Sequence, residues 1–284
     1  MTKAEIREKG LKTFKTKKIK IDDIEINYAE AGKGKCVVLV HGWTNNWMGL
    51  IPLGLELYKN YRVIIPDLPG YGDSGRLTNY SFEIQADYLK KFLEKLKVEK
   101  PVIAAHSMGA YVISKLYSKY PVFADKLVLI GAMFNKNNKT KGLKIQNLIF
   151  RIAREFEIGQ SLIKKIIDTD TYSMITSKLI NMYEFNRDNV IVFGKEGKLK
   201  MSKKVYVDMG YDISKTNVDE LIANNLIPIQ LIFGDHDKLT NVEHARNILA
   251  NKGNYQFDTV VKAGHVVTVE KPKELALKMI KFIG

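Results

Sequence analysis

Residues 101–110 read PVIAAHSMGA, and the reading of this stretch decides the fold. Its first part is a short apolar run of the kind that forms a strand buried on both faces. Beyond it Val112, Ile113, Leu116, Tyr117 and Tyr120 recur at helical spacing and stop at Pro121. Ser107 therefore falls where a buried strand turns directly into a helix. A serine there has two readings. It is either the N-cap of the helix or a nucleophile on a sharp strand-to-helix turn, which demands small residues on both sides. Ala105 and Gly109 meet that demand, and Ala110 gives further relief.

Outward from that junction the alternation repeats. Residues 36–40 (CVVLV), 62–66 (RVIIP), 126–130 (KLVLI), 228–233 (PIQLIF) and 256–261 (QFDTVV) are further short apolar runs. Between them Phe82, Ala86, Leu89, Leu93 and Leu96 mark one face of a helix, with Ser81 as N-cap and Glu83 in its first turn. Leu275, Met279 and Ile280 mark a last helix that begins near Pro272. Strands joined by single crossover helices give a mostly parallel sheet covered on both faces. Residues 13–31 alternate around Asp22 and Asp23 and read as a hairpin of two edge strands.

The rhythm breaks once, over residues 133–227. Residues 143–153, 160–167 and 175–183 read as helices there, and 190–193 suits one short strand. The expectation is an α/β core formed by residues 1–132 and 228–284, with a helical cap inserted at 133–227.

Four more segments carry chemistry: HGW at 41–43, DLPGYGDSG at 67–75, GDHD at 234–237 and AGH at 263–265. In this order, and with AHSMGA between the second and third, they resemble the α/β-hydrolase fold family, whose nucleophile elbow is written G-x-S-x-G. Ala105 stands here for the first glycine. The resemblance implies that Ser107 is the nucleophile, His265 the base and Asp237 the acid that orients it. It also implies an oxyanion hole built from the backbone N–H groups of Trp43 and Met108.

Asp235 is the rival for the acid, its alternative role being a turn carboxylate. The family's other acid location, after the strand ending near Gly131, reads GAMFN and offers no carboxylate. The His41 side chain, Asp67 and Ser74 are expected to hold loops, and His236 and His244 to lie on the surface or cap helices.

No histidine–carboxylate cluster has metal-ligand spacing and no G-x-G-x-x-G follows a strand, so no metal or organic cofactor is expected. The expected substrate is a small-molecule carboxylic ester with a small or medium acyl chain, cleaved through an acyl-enzyme. Serine at the elbow argues against the dehalogenases and epoxide hydrolases of the family, which carry aspartate there. Its carbon–carbon hydrolases typically have asparagine before the serine, and often tryptophan after the histidine, where this chain has His106 and Val266. Thioesterases and perhydrolases share the motifs, and a small-molecule sensor on the same fold is the alternative from another class. Ile149, Phe150, Phe156, Met174 and Met182 suit either an apolar acyl site or packing within the cap.

The 284 residues are 45% hydrophobic and 27% charged, enough for a large core. Net charge is +14, from 45 Lys and Arg against 31 Asp and Glu. The lysines are scattered (Lys90, Lys91, Lys95 and Lys97 in one helix, Lys136, Lys139, Lys141 and Lys144 further on) and form no basic run interleaved with aromatics. Nucleic acid is therefore not an expected partner. The charge reads as a solvated surface, with at most weak association with anionic surfaces. The first twenty residues lack an apolar leader core, and no apolar run approaches the roughly 20 residues that span a bilayer. Cys36 is the only cysteine and reads as a core residue. A cytoplasmic location is the expectation.

Overall fold

The computed structural model describes residues 1–134, 141–216, 226–249 and 254–284. Parts of the segment read as an insertion, 135–140 and 217–225, lie outside these, Lys136 and Lys139 among them. The strands are β1 (Lys15–Ile21), β2 (Ile24–Ala31), β3 (Cys36–Val40), β4 (Arg62–Pro66), β5 (Val102–His106), β6 (Lys126–Ile130), β7 (Ile229–Gly234) and β8 (Tyr255–Val260). They form one sheet in the order β1-β2-β4-β3-β5-β6-β7-β8. The two pairings of β2 are antiparallel and all the others are parallel.

The central runs are apolar at every position because each strand feeds two cores. Along β3, Val38 and Val40 face one hydrophobic cluster while Val37 and Leu39 face the other. The first cluster is closed by α3 (Phe82–Lys95) and α4 (Met108–Lys119). The second is closed by α2 (Ile51–Leu57) and by the last helix, Pro272–Ile283. Ser81 caps α3 by accepting from the Ile84 N–H.

Two expectations change. The hairpin forms around Asp22, whose φ is 48°, but only β1 is an edge; β2 gains β4 on its other side. Residues 190–193 are not a strand: Val190–Gly194 is a π-helical turn within a longer helical run. Phe193 and Val190 are buried, and helical neighbours on both sides override the β-branched composition. The N-terminus also adds a helix, α1 (Lys3–Thr13), started by a capping box between Thr2 and Glu5.

Between β6 and β7 the described residues are helical. They include α5 (Lys141–Glu155), α6 (Glu157–Ile167), α7 (Asp170–Thr176) and α8 (Lys203–Ile213). Helix α8 anchors this region to the rest. Its Asp208, fully buried, accepts from Arg154 on α5, from Lys204 and from the Tyr80 N–H, while Asp212 accepts from the Phe82 N–H at the start of α3.

The chain passes from β3 outward to β4 and then returns to place β5 on the other side of β3. The C-terminal ends of β3 and β5 therefore border the point where strand order reverses. Open α/β sheets bind their ligands in the crevice that opens there.

Candidate active site

Val40 pairs with Ala105, which brings the His41–Gly42 turn alongside the β5 end. The approach is close: a Cβ on Gly109 would lie 2.9 Å from the carbonyl oxygens of both Val40 and His41. Gly109 is thus required for the first turn of α4 to pack on the end of β3. Ala105 is completely buried in the same contact region.

Ser107 takes the turn itself, with φ 51° and ψ −116°, a backbone conformation costly for a residue bearing a Cβ. It occupies the cap position of α4 without making a side-chain cap hydrogen bond. Its hydroxyl goes elsewhere. Ser107 Oγ is 2.8 Å from His265 Nε2, and His265 Nδ1 is 2.9 Å from Asp237 Oδ2. Ser107 is half-buried, whereas His265 and Asp237 are nearly enclosed.

The bonding fixes the proton positions. A carboxylate only accepts, so His265 Nδ1 carries the hydrogen and Nε2 is free to accept from the serine hydroxyl. Burial would raise the Asp237 carboxyl, but the neighbouring His265 and the N–H groups of Leu239 and Thr240 outweigh it and hold the group below its ordinary value. It stays a carboxylate.

Asp235 is placed apart from this chain of bonds. Backbone turns begin immediately after β7, at Asp235 and His236, so two aspartates that an extended chain would point the same way diverge. Asp235 Oδ1 accepts from the Ala263 N–H at 3.2 Å, tying the β7 turn to the loop that carries His265. Gly131 occupies the other carboxylate location. With φ 58° and a would-be Cβ 3.3 Å from the His265 ring, it leaves room for the imidazole.

Trp43 follows the His-Gly turn, and Met108 opens α4. Neither backbone N–H donates to a protein acceptor among the described residues, and that of Met108 is an orphan donor of the helix N-terminus. The Trp43 side chain stacks on Tyr206, with centroids 4.5 Å apart, meets Phe150 edge-on and donates from Nε1 to the Tyr206 carbonyl. Helices α5 and α8 thereby pack directly on the residue that follows the His-Gly turn.

Several supports were not singled out in the sequence. His106 Nε2–H donates to the His265 carbonyl at 2.9 Å. Burial, then the nearby His265, pulls His106 down to about 4, so it acts as a neutral donor. Glu270 accepts from the N–H groups of Gly264 and Tyr183, joining the His265 loop to the helical segment. Thr240 donates to the Ala132 carbonyl and accepts from Phe134 N–H, joining the Asp237 loop to the end of β6. The only sequence signal for any of these was a histidine directly before Ser107.

His41 is a loop support: Nε2 accepts from the Leu68 N–H and Nδ1 meets the Gly42 carbonyl. Asp67 accepts from Trp47 N–H, Asp73 N–H and Asn27, and the Ser74 hydroxyl donates to the Asp67 carbonyl. His236 is exposed beside Tyr183, and the His244 N–H is bonded to Asn241. Among the described residues no group of three His, Cys, Asp or Glu side chains converges as a metal site, and no helix is long and apolar enough to cross a membrane.

The sequence pattern of the α/β hydrolase fold matches residues 35–157. With the sheet and its connections as described, the chain has the α/β-hydrolase fold. It is 25% identical to a pyrrolizixenacetamide deacetylase of Xenorhabdus hominickii, over 94% of this chain and 97% of that protein. It is also 25% identical to a 2-hydroxy-6-oxononadienedioate/2-hydroxy-6-oxononatrienedioate hydrolase of Pseudomonas putida, over 86% of each. Among solved structures, a thermophilic esterase from Thermogutta terrifontis superposes with a TM-score of 0.76 at 21% identity, covering 95% of this chain and 98% of that one.

Proposed function

We propose that this protein is a serine hydrolase that cleaves a carboxylic ester of a small or medium acyl chain, with Ser107, His265 and Asp237 as its catalytic triad. The observation that carries the reading is the unbroken hydrogen-bond chain from Ser107 Oγ through both His265 nitrogens to Asp237 Oδ2, held on a strained turn. Ser107 Oγ attacks the ester carbonyl carbon while its proton passes to His265 Nε2. The developing oxyanion is met by the Trp43 and Met108 N–H groups. The intermediate then expels the alcohol, which leaves with the proton from His265. Water attacks the acyl-serine next, giving one proton to His265; that proton returns to Ser107 Oγ as the carboxylic acid departs. Asp237 stays ionised throughout and stabilises the imidazolium.

The helices of 133–227 serve as a cap in this reading. Phe150, against Trp43, supports an uncharged acyl group beside the oxyanion position. Ile149 and Phe156 are half or more exposed, unlike Phe150. His106 and Val266 at the positions flanking Ser107 and His265 favour ester over carbon–carbon cleavage. A lone cysteine, half-buried and raised to about 11 by burial, suits a cytoplasmic location.

The test is a panel of p-nitrophenyl esters graded by acyl length. Many turnovers per molecule with a maximum at short or medium chains are expected. A single slow turnover with product retained would replace the enzyme reading with that of a sensor.

A further inference from the structure

Helix α5 is apolar on two sides. One side packs inward: Phe150 and Ala153 are buried, Asn147 bonds to Ser214, and Arg154 reaches Asp208. The opposite side carries Ile145, Leu148, Ile149 and Ile152, at i, i+3, i+4 and i+7, and all four are exposed. Such a row is what a helix normally buries. Helix α6 repeats the arrangement. Ile167 and Gln160 are buried, while Ile158, Leu162 and Ile166 form an outward row, Ile158 being 77% exposed. Phe156, 63% exposed, sits at the corner between the two helices, which pack against each other.

Elsewhere among the described residues, exposed large apolar side chains outside the helical segment are scattered singly, at Leu11, Val122 and Leu277 for example. Exposed apolar rows on two packed helices mark an interaction site. Its chemistry is set by what flanks it. Arg151 on α5 and Lys165 on α6 are exposed and have no carboxylate partner among the described residues. The whole chain carries +14. A second copy of the chain would bring an equally positive molecule against this face. An anionic lipid surface offers both an apolar layer for the two rows and negative charge for their cationic flank.

We infer that α5 and α6 form a docking face that seats the protein on anionic phospholipid membranes. Both helices lie along the interface, their outward rows enter the headgroup–acyl boundary, and Arg151 and Lys165 meet the headgroups. This assignment is independent of the reading of Ser107.

The experiment is co-sedimentation of the full chain, carrying Ser107→Ala so that no lipid is consumed. Vesicles of phosphatidylcholine with phosphatidylglycerol are compared with pure phosphatidylcholine at about 0.15 M salt. Binding to the anionic vesicles is expected. Ile152→Glu with Ile158→Glu should lower partition at least tenfold, and Arg151→Glu with Lys165→Glu by a similar factor, since each cation contributes roughly fivefold. Leu277→Glu, exposed on the last helix, should change nothing. Thermal midpoints close to the parent establish that the variants are folded, which their exposure favours. The inference is overturned if the parent ignores anionic vesicles, or if the apolar pair of substitutions leaves partition unchanged. It is equally overturned if light scattering shows a dimer that those substitutions dissolve while vesicles are not bound, which would make the occupant a second copy.

Discussion

The ends of the sheet strands and the outer faces of α5 and α6 treat apolar side chains in opposite ways. At the ends of β3, β5 and β6 the apolar residues Val40, Ala105 and Ile130 are enclosed, and the polar groups buried near them, His41, Asp67 and His106, are fixed by hydrogen bonds. On α5 polar bonds point inward, to Asp208 and Ser214, and Ile145, Leu148, Ile149 and Ile152 face outward, as do Ile158, Leu162 and Ile166 on α6. One region spends its burial on rigidity and so can hold a serine at φ 51°. The other keeps its apolar surface available to something outside the chain. On the readings proposed above, chemistry and recognition are divided between them, and each substitution below tests whether that division holds.

The largest effect is expected at the strand end. Ser107→Ala should reduce ester turnover about ten-thousandfold or more, abolish labelling by a fluorophosphonate, and leave the thermal midpoint at or above the parent value, because the strained turn loses no packing. Labelling of a different serine would move the nucleophile and break the comparison at its centre.

The two aspartates after β7 come next. Asp237→Asn removes the partner of His265 Nδ1 and should cost about a thousandfold in kcat. Asp235→Asn weakens one bond, to the Ala263 N–H, and should cost roughly 1 kcal/mol of stability with turnover nearly kept. Paired kcat and thermal midpoint measurements decide it, and an inactive Asp235→Asn beside an active Asp237→Asn would reverse the assignment.

This pair shows what a sequence makes legible. The strand–turn–helix context around Ser107, the small residues beside it and the chain order of Ser107, Asp237 and His265 are local patterns, and local patterns survive in one dimension. Asp235 and Asp237 were separated only by the family's spacing, since the sequence does not say where β7 stops being extended. Supports such as Glu270 and Thr240 were illegible because their partners, Tyr183 and Ala132, lie far away in sequence. The two-sided character of α5 was hidden for another reason. Periodicity reports an apolar face, and the natural inference is that this face is buried; here the most apolar face is the exposed one.

His106 should show a smaller effect of a different kind. His106→Phe keeps ring volume but deletes the donor to the His265 carbonyl, so the imidazole should lose precision. A fall in kcat of about tenfold to a hundredfold with KM little changed is expected, and an unaltered kcat would reduce His106 to packing. The same variant has a signature in stability. His41 and His106 are both held at about 4, below the ordinary 6.5, by burial. A histidine buried neutral contributes stability that is full above pH 6.5 and is lost as pH falls toward 4, at about 1.4 kcal/mol per pH unit for each group. Asp67, raised to about 6 by burial, works in the opposite sense, since its protonated form is favoured in the fold and stability is gained as pH falls through 6. Thermal midpoints across this range should therefore decline on acidification in the parent and decline less steeply in His106→Phe.

The smallest expected effect is at Ile149, set beside its neighbour Phe150 on the same helix. Phe150 is 5% exposed and packs against Trp43 and Tyr206, whereas Ile149 is 50% exposed and lies on the outward row of α5. Truncating a buried aromatic side chain removes its transfer free energy and leaves a cavity, so Phe150→Ala should cost about 3 kcal/mol. It should also loosen Trp43, whose backbone N–H faces the developing oxyanion in the proposed mechanism, and so lower kcat as well. Ile149→Gln loses little burial and no internal partner, and its expected change is within about 0.5 kcal/mol with kcat for a soluble ester unaltered. Denaturant unfolding of both variants at matched pH provides the measurement. A large loss at Ile149 would mean that the outward row is covered by other parts of this same chain, and the contrast between an enclosed catalytic region and an open docking face would then disappear.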